Sequence, residues 1–459
     1  MLFGAWHLLE RGFWAGWHPG RRVAVEAAKR NIIFIAAAII TGVISIAFGI
    51  GITRASALFA HVTAHRLWLT LLLCPIGLAG IVFLTRTVFP GAQGSGIPQA
   101  MAGMTMRDQA DVDTVLSLRI AVGKFLLTLA GFAVGASIGK EGPTVQISCA
   151  VMNVCGRLGL ERSLLLQRLL ILAGGAAGIT CAFNAPVAGV LFAIEEMAGS
   201  FSSREARSII LAAFGSGITL LLLLGYQPYF GFSHAALRLW LVWLLFPVCA
   251  VIGGVAGGIF AQVLVTPKRF MPGPINWLAK HHPVGFALLC GLLLAALGLI
   301  SHGQIFDASH REAQEALTEG VVLPFGFAPL KFLATLISYL SGIPGGIFAP
   351  SLAVGVGLGT MFSHLVPGVP VAAFAMVGMA GYFSGVVQSP LTATAIVIEM
   401  TSNPAMTVPV GIAAILGTMA SRLVCKEPVY HAMAHQFLRI VEREPEPTTD
   451  DDTTGAEPD

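Results

Sequence analysis

Twenty residues of this chain occur twice, and the duplication limits what the chain can fold into. Lys124 to Pro143 reads KFLLTLAGFAVGASIGKEGP, and Lys331 to Pro350 reads KFLATLISYLSGIPGGIFAP. The offset is 207 throughout (331 − 124), and eight of the twenty positions are identical. A second echo follows. Gly174 to Glu195 (GGAAGITCAFNAPVAGVLFAIE) matches Gly378 to Glu399 (GMAGYFSGVVQSPLTATAIVIE) at an offset of 204. In each half an apolar helix carries one lysine, breaks at a Gly-rich turn and restarts at a proline. Duplicated, broken helices are how many membrane transporters build an ion site near the midplane.

Composition puts those helices in a bilayer. The chain is 55% hydrophobic and 11% charged, against about 25% charged in a soluble domain. Long apolar runs cover Asn31 to Thr53, Leu67 to Val88, Ile209 to Gly225, Trp240 to Val265 and Val284 to Ile300. About 20 such residues span the hydrocarbon core. Shorter runs broken by Gly or Pro, such as Ser341 to Phe362, suit half-helices buried inside protein. A net charge of +3 is too small to imply a nucleic-acid partner. The seven cysteines show no CxxC pair and read as small packing residues. No metal site or cofactor is expected.

Three Gly/Pro motifs carry the chemistry: Gly94-Ser95-Gly96-Ile97-Pro98, Gly139-Lys140-Glu141-Gly142-Pro143 and Gly346-Ile347-Phe348-Ala349-Pro350. Each precedes a helix-like stretch, and proline suits a first helical turn because its missing N–H is not needed there. A helix start presents free N–H groups and about +0.5 e. Three starts aimed at one spot would hold an anion without a basic side chain. Such dipoles bind weakly enough to let the ion leave.

Together the motifs resemble the CLC family of chloride channels and chloride/proton antiporters, in that family's order and spacing over about residues 26 to 440. The resemblance is to the bacterial type. It implies an all-α polytopic fold of two inverted repeats, and a homodimer with one anion pathway per subunit. The expected partners are chloride, protons, a second copy and the lipid bilayer. The resemblance implies that Gly94, Ser95, Gly139, Lys140, Glu141, Gly142, Ile347, Phe348, Ala349 and Tyr430 form the anion site. Ser95 and Tyr430 would give hydroxyls, and Ile347 and Phe348 backbone N–H groups. Glu141 resembles the gating glutamate, and Glu196 the internal proton-transfer glutamate of the antiporters. Glu196 favours an antiporter over a passive channel. Gln99 stands where many members have glutamate, and Lys140 where arginine is common. Ser95 argues against nitrate-selective members. Ser95, Tyr430 and the GKEGP string argue against the fluoride-exporting branch.

The residues support these roles on their own. A Glu141 carboxylate among helix starts would fill an anion site itself, and protonation would release it. The repeat sets Glu141 against Phe348 and Glu196 against Met400, so each acid exists in one half only. An ionisable residue inside a membrane segment is a functional candidate; a helix-end carboxylate in interfacial water is the alternative for Glu196. Glu195 aligns with Glu399, which favours a structural pair. Lys124 and Lys331 either raise the local positive potential, or snorkel to an interface or pair with a helix C-terminus. A GxSxG string around Ser137 raises a remote alternative, an intramembrane serine hydrolase. The repeat segment holds no histidine to act as base, and the second copy has Pro344 at that position. No enzyme activity is expected.

The expected organisation is a cytoplasmic segment over 1–25, membrane repeats over 26–226 and 227–424, a C-terminal helix over 425–441 and an acidic disordered tail over 442–459. Gln227 to Arg238 reads as a connector. Arg11, Arg21, Arg22, Lys29 and Arg30 precede the first span, and Arg422, Lys426, Arg439 and Arg443 follow the last. The positive-inside rule puts both ends in the cytoplasm of an inner-membrane protein. The first 30 residues do not read as a cleavable signal peptide. The stretch after Val424 leaves no room for the paired CBS modules of many eukaryotic members.

Overall fold

The computed structural model describes residues 19–160, 163–199, 202–235, 242–365 and 369–441. Arg11, Arg238, Arg443 and the acidic tail lie outside them. The first repeat holds α1 (Pro19–Thr63), α2 (Thr70–Thr87), α3 (Ile97–Gly103), α4 (Gln109–Leu116), α5 (Leu118–Ala133), α6 (Glu141–Gly159), α7 (Leu164–Phe183), α8 (Pro186–Phe192) and α9 (Ser203–Leu224). The second holds α10 (Val242–Val265), α11 (Gly273–His281), α12 (Pro283–Ile300), α13 (Phe327–Leu340), α14 (Phe348–Ser363), α15 (Val371–Val387), α16 (Pro390–Thr401) and α17 (Thr407–Arg422). A last helix, α18 (Val429–Val441), follows. Among the described residues, eight helical segments are long and apolar enough to cross a membrane. Helices α3, α8, α14 and α16 are shorter, and proline opens three of them, as Pro98, Pro186 and Pro390.

Glycine sets how closely the core helices approach. Every residue of α15 after Val371 is buried. A methyl group on Gly355 of α14 would lie 2.6 Å from Met379 Cα of α15, too near for any side chain. Small residues at such crossings gain dispersion contacts where lipid gives no hydrophobic drive between helices. Large apolar side chains elsewhere on the spans face outward, Leu222, Leu223 and Leu224 among them.

The two halves are related by exchange of contacts. Glu195 accepts from the backbone N–H groups of Leu391 (3.1 Å) and Thr392 (2.7 Å) at the start of α16. Glu399 accepts from Val187 (3.2 Å) and Ala188 (2.7 Å) at the start of α8. The donors are separated by the same 204 as the acceptors (391 − 187 and 392 − 188). A contact from i to j matched by one from j's duplicate to i's duplicate is the mark of a two-fold relation. The chain reversals match too. Asn184 ends α7 and Gln388 ends α15, both left-handed at φ 53° and 59°, again 204 apart.

The halves depart from the symmetry after α8. After α8 the backbone widens into a π turn, Ala193–Ala198, whereas α16 stays α-helical through Glu399. The connector is also no free linker. Phe230 N–H bonds to Met400 O (2.9 Å) and Ser233 N–H to Thr401 O (2.9 Å), so it is stitched to the end of α16.

Loss of an N-terminal cap costs about 0.5–2 kcal/mol. Glu195→Ala and Glu399→Ala should each lower the thermal unfolding midpoint of detergent-purified protein, by similar amounts because the caps are symmetry mates. A normal midpoint in both variants would mean the exchanged caps add nothing to stability.

Candidate anion site

Three helix starts meet at a backbone junction. Gly94 N–H bonds to Ile343 O (3.2 Å), and Gly345 N–H bonds to Gly94 O (3.0 Å). Gly139 and Gly346 exchange two bonds of 2.7 Å each. These pairs tie together the loops that lead into α3, α6 and α14. Only glycine fits. A methyl group on Gly139 would strike the Glu141 carboxylate, and one on Gly346 would lie 3.0 Å from Glu141 Oε2. One on Gly142 would strike the Ser95 hydroxyl. Gly96 caps α3 at φ 104°, a left-handed conformation costly for residues with a Cβ.

Glu141 is the first residue of α6 and is fully buried. Its carboxylate faces the N–H groups of Lys140, of its own residue and of Ala349 at the start of α14, without reaching hydrogen-bond geometry to any described protein group. Ile347 caps α14 and Phe348 opens it; the first N–H groups of a helix have no acceptor within it. Tyr430, the second residue of α18, is fully buried. Its ring lies 5.6 Å from the Phe348 ring, and its hydroxyl faces Ser95. Neither Ser95 Oγ nor the Tyr430 hydroxyl has a hydrogen-bond partner among the described residues. A buried polar atom left so costs about 1–3 kcal/mol. Ser95, Tyr430 and Glu141 thus form a group of unsatisfied polar atoms among helix starts. The two hydroxyls and the free helix-start N–H groups can donate to a small anion, which would compete with the Glu141 carboxylate for those donors.

Glu196 lies in the π turn and is 2% exposed. Its Oε2 accepts from Ser389 Oγ. Its Oε1 has no hydrogen-bond partner among the described residues and lies 3.8 Å from His431 Nδ1. The adjacent Glu195 takes the backbone N–H groups of Leu391 and Thr392, just beyond Ser389. Consecutive carboxylates therefore do different work, and Glu196 is no interfacial carboxylate. Sequence reasoning missed Ser389, although the duplicate at 204 is Ala185 and that departure from the repeat was there to read.

The repeated lysines neither snorkel to a surface nor pair with a helix C-terminus. Both are fully buried. Lys124 Nζ donates to Gly94 O (2.7 Å) and Gln93 O (3.3 Å), and Lys331 Nζ donates to Asp307 O (2.6 Å) and Ile305 O (3.0 Å). Each braces an irregular loop through its carbonyls, and Lys124 braces the one that delivers Ser95. Gln99 supports the same loop, accepting from Gly96 N–H (3.0 Å) and donating to Gln93 O (2.6 Å). Lys140 Nζ sits 5.0 Å from the Tyr229 ring centroid. Lys140 also lines a cavity of about 370 Å³ with Arg54, Thr53 and Cys181. Ser137 Oγ is bonded to another hydroxyl, that of Thr335 (3.0 Å), and not to a base.

A family model described as "Voltage gated chloride channel" matches residues 76–422. The H(+)/Cl(-) exchange transporter ClcA of Salmonella agona (strain SL483) is 31% identical over 445 residues, which cover 89% of each chain. The protein of that name from Citrobacter koseri is 30% identical over 448 residues, 91% of each chain. Among solved structures, a slow cyanobacterial Cl-/H+ antiporter superposes with a TM-score of 0.76 at 24% identity, over 93% of this chain and 100% of that one. A CLC-type fluoride/proton antiporter gives 0.73 at 22%, over 90% and 99%. These two structures establish likeness of fold.

Lys124→Met keeps the length of the side chain and removes the donor. The Gly94 and Gln93 carbonyls would lose their buried partner, a loss of about 1–3 kcal/mol. The thermal midpoint of purified Lys124→Met should fall, and Lys124→Arg should recover part of the loss. Wild-type stability in Lys124→Met would make the brace idle.

Proposed function

The chain belongs to the voltage-gated chloride channel family, and on that premise we propose that it exchanges chloride for protons across a membrane. The observation that carries this is the group of unsatisfied polar atoms of Ser95, Tyr430 and Glu141 at the meeting of three helix starts. In this reading chloride takes the Ser95 and Tyr430 hydroxyls together with the backbone N–H groups of Ile347 and Phe348. Gly94, Gly139, Gly142 and Ala349 give the ion room by bringing backbone close. Lys140 adds positive potential at one mouth.

Glu141 is the gate. Ionised, its carboxylate occupies the anion path, held by the N–H groups it faces. Protonated, it loses that attraction and swings aside, and chloride enters. The proton thus carried continues to or from Glu196, which lies off the anion path. The fold is a multi-pass membrane protein built of two inverted repeats. We place it in the bacterial inner membrane as a homodimer, one pathway per subunit, with both ends in the cytoplasm. Bacterial relatives and the flanking basic residues support this placement.

Purified protein in liposomes, followed with chloride and pH electrodes, tests the proposal. A chloride gradient should drive protons uphill. Chloride flux with no proton movement would leave a passive channel instead. Glu141→Gln should abolish uphill proton movement and leave chloride passage. Glu196→Gln should stop protons and spare chloride binding. Uphill pumping by Glu141→Gln would refute the gate.

Chloride titration tests the site itself. A neutral hydrogen bond is worth about 0.5–1.5 kcal/mol, and more toward a charge. Ser95→Ala and Tyr430→Phe should therefore each weaken chloride binding roughly three- to thirtyfold without abolishing it. Wild-type affinity in both variants and in the double variant would put the anion elsewhere.

A further inference from the structure

Glu196 has to exchange protons with water, yet its carboxylate is buried. One oxygen is occupied by Ser389. The other faces His431 Nδ1 at 3.8 Å. Of the His431 side chain, 38% is exposed, while Nδ1 itself is buried and without a hydrogen-bond partner among the described residues. The exposure therefore belongs to the rest of the side chain. A single side chain thus reaches from outside the protein to the free oxygen of a buried carboxylate. Building on the exchange reading above, we infer that His431 relays protons between water and Glu196.

The step is chemically balanced. A proton from water joins Nε2 of the Nδ1–H tautomer and gives the imidazolium. The Nδ1–H proton then passes to Glu196 Oε1. Neutral glutamic acid and a neutral Nε2–H imidazole remain, and water returns the ring to its first tautomer. The reverse sequence empties Glu196. The 3.8 Å separation exceeds the roughly 2.6–3.2 Å of direct transfer, and a small ring rotation or one bridging water closes it. Histidine is suited to the task because its ordinary titration lies near neutral pH.

The surroundings isolate this pair. Helices α3, α10 and α15 pack against α18. They carry no Asp, Glu, His, Lys or Arg, only Cys249 and Tyr382 as titratable residues, and from α13 the Tyr339 hydroxyl donates to Met433 of α18. On α18 itself, the Tyr430 hydroxyl points to Ser95, and His435 lies exposed one turn on. Before the helix, Lys426 and Glu427 are exposed. Glu196 is therefore the described charge that His431 faces. Its carboxylate holds the imidazole above the usual histidine range, against the opposing effect of partial burial. The protonated form thus persists to higher pH than in a free histidine, and is lost as the pH on that side rises through the raised value.

The full-length protein in liposomes tests the relay, with wild type, His431→Gln, His431→Asn and His431→Ala compared. Proton flux in all three variants should fall by roughly tenfold or more, and its dependence on the pH of the His431 side should flatten. Chloride titration should stay within about twofold, which also establishes folding. Imidazole added to that side should restore proton flux to His431→Ala and leave Glu196→Gln unaffected. Wild-type proton flux and pH profile in His431→Gln or His431→Asn would overturn the relay. So would failure of imidazole to act on a His431→Ala protein with normal chloride binding. Wild-type protein that moves chloride without protons would instead sink the exchange reading, and the relay with it.

Discussion

Gly139 and Gly346 are duplicates of one another, and they exchange two backbone hydrogen bonds of 2.7 Å. A residue paired with its own copy lies at the two-fold axis. That pair fixes where α6 and α14 begin, and both starts must face the same point because the axis passes between them. The stitch from Gly94 to Ile343 and Gly345 adds the third start beside the first two. An anion site made of N–H dipoles needs no further residue to aim it. The site is a consequence of symmetry, and glycine is the residue that lets the backbones come close enough.

The chemistry sits where the symmetry fails. The duplicate of Glu141 is Phe348, the duplicate of Glu196 is Met400, and that of Ser389 is Ala185. Each polar member of the path faces an apolar copy. The π turn that follows α8 has no counterpart at the matching end of α16. π turns inside α-helices often mark functional positions, and here the extra width sends Glu195 and Glu196 to different partners. Glu195 keeps the shared capping duty, and Glu196 is released for another. On the proposed reading, a symmetric frame with asymmetric substituents would give a fixed anion site and a one-sided route for protons.

The three motifs and the asymmetry of Glu141 were legible because they are local in sequence. The duty shared by Glu195 and Glu399 was legible as shared, but not as an exchange between halves. The donors they accept from are backbone N–H groups about 200 residues away, and no residue type announces such a target. The partners of Lys124 and Lys331 were illegible for the same reason: each bonds to carbonyls of an irregular loop, which any sequence would offer. His431 carried no signal either. A histidine one residue past a motif tyrosine gains meaning only when the π turn of a distant helix places a carboxylate against it.

The exchanged caps also bear on how the chain is made. Helix α8 is complete in the first half, yet the carboxylate that satisfies its opening N–H groups is Glu399, 211 residues beyond Ala188. At a synthesis rate of about 5–20 residues per second, those groups wait about 10–40 s for their partner. In a bilayer interior, unsatisfied N–H groups are not free to turn to water. The first half must therefore stay near the insertion machinery, or loosely packed, until the second half arrives. Cleaving the connector would split the chain into two pieces, neither of which could finish its own helices.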